Sequence, residues 1–212
     1  MTPAAVIAEG AVALGLEVPA SAVESLARYS ELVIKWNRVA NLTGARRATD
    51  FARKFVVDAL AVAPWVEGRH VADLGSGAGL PGMVLAILKP DIQFHLVEPR
   101  ARRARFLEQA RIDLGLANVQ VHCARIEDWT PPAPVDAIIC QAVGSLAYIL
   151  GVTAHLHGHR AQVLALKGQR PVAELAALGP AAAACETIRL KVPGWAERHL
   201  VRVDCSRLPI PG

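Results

Sequence analysis

From His70 onward the chain alternates short apolar runs with segments of helical periodicity, and this alternation limits the possible folds more than any other feature of its 212 residues. The run VADLG precedes a helical pattern from Pro81, and FHLVE precedes one from about 100 to 114. VQVHCA follows; VDAIIC then precedes a pattern near 145–156, and AQVLALKG one near 171–178. Strands alternating with helices are joined by crossovers, so the five runs predict a parallel sheet packed against helices. The last two runs, TIRLKVP and RHLVRVDC, are separated only by Gly194, Trp195, Ala196 and Glu197. Four residues are too few for a parallel crossover, so this pair predicts an antiparallel hairpin.

Before about residue 68 the signals are helical throughout. Ser21 followed by Glu24 matches a capping box, and Leu26, Tyr29, Val33 and Trp36 then recur at i, i+3, i+7 and i+10, predicting a helix over 21–38. Shorter helices are expected near 4–15 and 49–62, the latter ending before Pro64. The chain therefore divides into an N-terminal helical extension, residues 1–67, and an α/β domain, residues 68–212.

At 53% hydrophobic and 20% charged, the composition excludes a disordered chain. The longest stretch without a charged residue or histidine runs from Ala137 to Ala154. Gln141, Gly144, Ser145, Gly151 and Thr153 divide it into a strand, a loop and a helix, so it predicts core and not a membrane span. The start, MTPAAVIAEG, lacks the basic and sustained apolar regions of a secretory signal, and a cytoplasmic location is expected. Cys123, Cys140, Cys185 and Cys205 form no C-x-x-C pair and read as buried thiols of a reducing compartment. The net charge is +4, and 18 of the 23 basic residues are arginine, which suits a phosphate-rich partner.

The strongest single motif is the decapeptide from Asp73 to Gly82, DLGSGAGLPG, placed between a strand and a helix. Gly75, Gly77 and Gly79 allow a tight turn and a close approach of backbone to ligand. A dinucleotide fingerprint needs G-x-G-x-x-G, yet position 80 is Leu, which disfavours a nicotinamide-dependent oxidoreductase. The G-x-G-x-G spacing resembles the methyltransferase form of this loop, which supports methionine and ribose. Glu98 ends the second strand, where an acceptor for ribose hydroxyls is expected by analogy, and Ile126-Glu127-Asp128 follows the third strand, where an adenine is held.

Other candidates read as structural. Cys140 lacks a preceding proline and an evident base, so it reads as a buried thiol and not a nucleophile. Thr130-Pro131-Pro132 reads as a loop. His155, His157 and His159 straddle Gly158 without an adjoining carboxylate, and no metal site is expected. Trp36 and Trp195 read as packing residues. Arg100, Arg102, Arg103 and Arg105 form the densest basic run, and Asn41, Arg46, Lys54, Lys167, Arg198 and His199 complete the set expected to contact the phosphate-rich partner.

Several segments together carry a family resemblance: Lys35-Trp36-Asn37 with Asn41-Leu42-Thr43 and Arg46, then Asp73 to Gly82, Arg105-Phe106-Leu107, Leu166-Lys167-Gly168 and Glu197-Arg198-His199-Leu200. In this order they resemble the ribosomal RNA small subunit methyltransferase G family. The resemblance implies a class I, Rossmann-like α/β fold, S-adenosyl-L-methionine as cofactor, and methylation of N7 of a guanine in 16S rRNA by a monomer. It implies cofactor contacts at Gly75, Leu80, Ile126 and Glu127, joined by Asp73, Gly77, Gly79, Glu98 and Gln141. Gln141, Lys167 and Asp58 are the candidates beside the reacting atoms. The family's Arg-His pair is Lys54-Phe55 in this chain, with Asp58 kept, and its arginine after the fourth strand is Gln141. A catalytically impaired RNA-binding or assembly module and a small-molecule methyltransferase are the competing readings.

Overall fold

The structure, a computed structural model, describes residues 1–158 and 161–209; His159 of the histidine-rich segment lies outside the described residues. The α/β part is a single seven-stranded sheet. Its strands are β1 (His70–Leu74), β2 (Gln93–Val97), β3 (Val119–His122), β4 (Ala137–Gln141), β5 (Gln162–Lys167), β6 (Cys185–Arg189) and β7 (His199–Asp204). Their spatial order is β3-β2-β1-β4-β5-β7-β6. The first five strands pair in parallel, as the alternation predicts. Strand β7 is antiparallel to both β5 and β6, so it is the one reversed strand, lying between two that share a direction.

The β6–β7 hairpin is present, with a longer connection than the expected four residues. It runs from Leu190 to Arg198, because the β6 ladder ends at Arg189. The Leu190 N–H donates to the Arg198 carbonyl at 2.8 Å, and a turn from Val192 to Trp195 completes the loop.

Helices α5 (Gly82–Leu88), α6 (Ala101–Leu114), α7 (Leu146–Thr153) and α8 (Val172–Ala177) follow β1, β2, β4 and β5. The N-terminal segment forms α1 (Pro3–Ala13), α2 (Ala20–Ala40), and a helix over 48–60 in which α3 (Ala48–Phe51) and α4 (Val57–Leu60) flank a π-helical stretch, Ala52–Val56. The capping box at Ser21 does not form. Pro19, with φ fixed near −56°, caps α2 two residues earlier and places Ser21 within the first turn. Leu26, Tyr29 and Val33 are buried as the periodicity predicts, and Trp36 stacks obliquely on Phe106 with ring centroids 6.0 Å apart.

These helices do not stand apart from the sheet. Ile7, Leu26, Tyr29, Phe51 and Leu60 pack in one continuous core with Phe94, Leu96, Phe106 and Leu107 of the α/β part. Each such side chain contributes about 1.5–3 kcal/mol by leaving water, so the extension and the sheet stabilise each other. Among the described residues no helix is long and apolar enough to cross a membrane. Of the cysteines expected to be buried only Cys140 is; Cys123 is exposed, and Cys185 and Cys205 are half-buried, because they lie at strand ends near the surface.

One cluster has no counterpart in the sequence reading. His70, His95 and His122, on β1, β2 and β3, form a diagonal row with successive ring nitrogens 3.3 Å apart. Trp129 lies against the His95 and His122 rings. Burial, followed by the neighbouring imidazoles, pushes His95 down to about 4.

Candidate cofactor and nucleic-acid site

The glycine-rich loop leaves the C-terminal end of β1 and is pinned at once to its neighbour, with the N–H groups of Gly75 and Ser76 both donating to the Val97 carbonyl at 2.8 and 3.2 Å. Gly75, Gly77 and Gly79 have φ of +72°, +58° and +92°. Their roles differ. A Cβ on Gly79 would lie 2.6 Å from Met83 Cγ and 3.0 Å from Leu107 Cδ2, so this glycine is required for packing. A Cβ on Gly77 would meet nothing closer than 3.8 Å. The space before Gly77, bounded by Arg103 Nη1 and the Gly75 carbonyl at 3.8 Å, is therefore an open cradle that a ligand can approach and a side chain would fill.

Of the two carboxylates expected at strand ends, Glu98 faces the loop and Glu127 is exposed on the turn after β3. Glu98, 3% exposed, accepts from the Gly77 N–H at 2.9 Å and from the Arg100 N–H at 2.8 Å. With these two bonds it clamps the turn. Asp73 lies behind the loop and not in the cleft. It is fully buried and accepts from the Gly82 N–H at 3.0 Å, while its Oδ1 has no partner. Burial pushes its carboxyl up to about 8, against the opposing pull of that backbone N–H. Leu80 is half-buried, while Ile126 and Glu127 stand on a short 3₁₀ turn after β3, where Glu127 lies 3.7 Å from Arg125.

Sequence reasoning missed that the N-terminal segment builds part of this loop. Tyr29 of α2, fully buried, donates its hydroxyl to the Ala78 carbonyl at 2.5 Å. Asn37 accepts from the N–H groups of Leu42 and Thr43 at 2.7 and 2.9 Å and so staples the turn after α2. In that turn Asn41 adopts φ +49°, and its carbonyl accepts from Arg103 Nη2 at 3.2 Å. Helical periodicity marks Tyr29 as core and carries no signal that its hydroxyl reaches a loop 49 residues away.

A second group gathers beside the loop. Because β7 is reversed, its beginning lies level with the C-terminal end of β5, with Lys167 opposite His199. Arg198 therefore reaches the same sheet edge. Its guanidinium forms a bidentate ion pair with Asp58, Nε to Oδ1 at 2.6 Å and Nη2 to Oδ2, and lies 4.7 Å over the Trp195 ring. Gln141 at the end of β4 donates to the same carboxylate at 3.2 Å. Asp58 and Gln141, predicted separately, are thus brought together.

The expected RNA contacts divide on inspection. Asn41, Arg46, Lys54, Arg100, Arg102 and Arg105 are exposed. Arg198 and His199 are not: they are 7% and 6% exposed, and Arg198 is committed to Asp58, so the structure corrects their placement on the open surface. Lys167 is also withdrawn. Its ammonium donates to the Gly144 carbonyl at 2.8 Å and to Glu174 at 2.7 Å, tying β5 to the loop before α7. Arg103 is half-buried and turns toward the glycine loop.

Cys140 is 1% exposed, and burial holds its thiol far above the ordinary range, which leaves no thiolate for nucleophilic attack. His157 bonds Thr153 Oγ1 and His155 the Trp129 carbonyl, and no cluster able to hold a metal exists among the described residues.

A parallel sheet in this strand order, with one reversed strand next to the last position and a glycine loop after the first, defines the class I S-adenosylmethionine-dependent methyltransferases. Solved structures agree on the fold. The METTL16 MTase domain aligns with a TM-score of 0.61 at 14% identity, covering 87% of this chain and 80% of that one. A SAM dependent methyltransferase from Aquifex aeolicus aligns with a TM-score of 0.55 at 16% identity, covering 80% and 96%. The family model described as rRNA small subunit methyltransferase G matches residues 22–201, and the chain belongs to that family. Proteins named Ribosomal RNA small subunit methyltransferase G are similar along nearly their whole length. That of Methylococcus capsulatus is 44% identical over 191 residues, 90% of this chain and 93% of its own. That of Methylobacillus flagellatus is 41% identical over 189 residues, 89% and 91%.

Proposed function

We propose that the protein transfers a methyl group to N7 of a guanine in the 16S rRNA of the small ribosomal subunit. The observation that carries this reading is the open space at Gly77 at the carboxyl ends of the strands, where the Asp58–Arg198–Gln141 cluster stands beside the end of β4 and the exposed Arg102 and Arg105 of α6 follow β2. S-adenosylmethionine, when bound, supplies an electrophilic methyl group. In this reading Gly75, Gly77, Gly79 and Leu80 form its floor, Glu98 accepts from the ribose, Ile126 and Glu127 hold the adenine, Asp73 supports the loop from behind, and Gln141 stands near the reacting centre.

Guanine N7 carries a free lone pair, so the protein needs neither a general base nor a covalent nucleophile. Its task is alignment in a site closed to water, together with electrostatic stabilisation of the charge that grows on the purine. The fixed Asp58–Arg198 pair provides a preorganised edge for the base. Arg46, Lys54, Arg100, Arg102 and Arg105 provide phosphate contacts that set affinity and make it salt-dependent. Residues 1–67 act as an extension of the methyltransferase domain, completing the glycine loop through Tyr29, and the protein works as a cytoplasmic monomer.

The test is radiolabelled methyl transfer from S-adenosylmethionine to 16S rRNA, both naked and in small subunits lacking the modification, followed by strand cleavage specific for N7-methylguanine. One new cleavage site is expected. Absence of transfer, with cofactor binding measured on the same protein, would overturn the reading in favour of a binding module.

A further inference from the structure

Arg103 lies in the first turn of α6, among arginines that point outward, yet its side chain is turned inward. Its Nη2 donates to the carbonyl of Asn41, whose left-handed backbone directs that oxygen at the guanidinium. Its Nη1 is among the atoms nearest to the empty Cβ position of Gly77, 3.8 Å away. Among the described residues no carboxylate lies within ion-pairing distance of it, whereas the nearby Arg111 is paired with Glu108 at 2.5 Å. Glu98, which faces the loop, spends its two oxygens on the N–H groups of Gly77 and Arg100. An unneutralised cation is thus fixed at the rim of the cradle by a backbone carbonyl, which orients it without cancelling its charge.

We infer that Arg103 binds the α-carboxylate of the cofactor's methionine moiety. The inference rests on the placement of the cofactor proposed above. That carboxylate is the cofactor's one anionic group, and a planar guanidinium matches it in charge and in hydrogen-bonding geometry. The Asn37 staple then acquires a purpose: it holds Asn41 so that Arg103 is preorganised before the cofactor arrives. Arg103 is set apart by this from Arg100, Arg102 and Arg105, which remain free for RNA.

The test compares two ligands that differ only in the carboxylate, S-adenosylhomocysteine and its decarboxylated analogue, by calorimetric titration of the full chain. In the wild-type protein the first should bind more tightly than the second. Arg103→Met should weaken S-adenosylhomocysteine by about ten- to a hundredfold, the range for a charge-assisted hydrogen bond, and leave the decarboxylated analogue within about twofold. Arg103→Lys, which keeps the charge and loses the fork, should fall between. Equal weakening of both ligands would overturn the inference and leave Arg103 a support of the loop. Unchanged affinity for both, with weaker binding of 16S rRNA, would overturn it in favour of a phosphate contact. Failure of the wild-type protein to bind either ligand would refute the placement of the cofactor itself, a distinct result. Thermal melting of each variant confirms that the fold is retained.

Discussion

Two glycines of one loop should respond in opposite ways to the same substitution. An alanine at Gly79 places its Cβ 2.6 Å from Met83 Cγ and 3.0 Å from Leu107 Cδ2, at a φ of +92° that L residues rarely adopt. Overpacking costs about 1–3 kcal/mol and left-handed backbone adds about 1–2 kcal/mol, so Gly79→Ala should lose about 2–5 kcal/mol of stability. In a chain of this size that lowers the melting temperature by about 4–20 °C. An alanine at Gly77 meets nothing within 3.8 Å and has φ +58°, inside the left-handed well, so only the backbone cost of about 1–2 kcal/mol applies. The same methyl group, however, projects into the cradle. Gly77→Ala should therefore melt within about 8 °C of wild type and bind S-adenosylhomocysteine at least about tenfold more weakly. Differential scanning calorimetry and isothermal titration read the two quantities separately. Wild-type affinity in a folded Gly77→Ala protein would refute the argument that the open space before Gly77 is where the cofactor lies.

Three further outcomes follow from the same contacts. Asp58→Ala leaves the Arg198 guanidinium buried without its partner and should cost about 3–5 kcal/mol in urea denaturation; a variant as stable as wild type would show that the pair is not desolvated as described. Tyr29→Phe leaves the Ala78 carbonyl without its donor and should cost about 1–3 kcal/mol, with a severalfold weaker S-adenosylhomocysteine affinity; lost stability with unchanged affinity would confine Tyr29 to packing. His95, held at about 4 against its ordinary 6.5, is neutral in the folded state, so its contribution is complete above pH 6.5 and is lost as the pH falls toward 4. That window corresponds to at most about 3 kcal/mol, so His95→Gln should flatten the fall in urea midpoint between pH 7 and 4.5 relative to wild type, and parallel curves would exclude His95 as its source.

What the sequence determined alone is what depends on neighbours along the chain. The period of apolar residues separates strand from helix, and the spacing of Gly75, Gly77 and Gly79 marks a turn only those residues can make. Strands that alternate with helices pair in parallel through crossovers, so the sheet and the position of Glu98 at its carboxyl edge are legible in the sequence. The short-range signals misled where a stronger local constraint stood beside them: Pro19 displaced the cap from Ser21. Tertiary structure alone decided which distant residues meet. The reversal of β7 brings Arg198 to Asp58, 140 positions away, and turns a supposed surface cation into a buried one. The docking of α2 brings Tyr29 to the glycine loop and Asn41 to Arg103, and the stagger of β1, β2 and β3 lines up three histidines. Such meetings depend on strand order and helix packing, which involve the whole core at once and leave no periodic trace in the residues that meet.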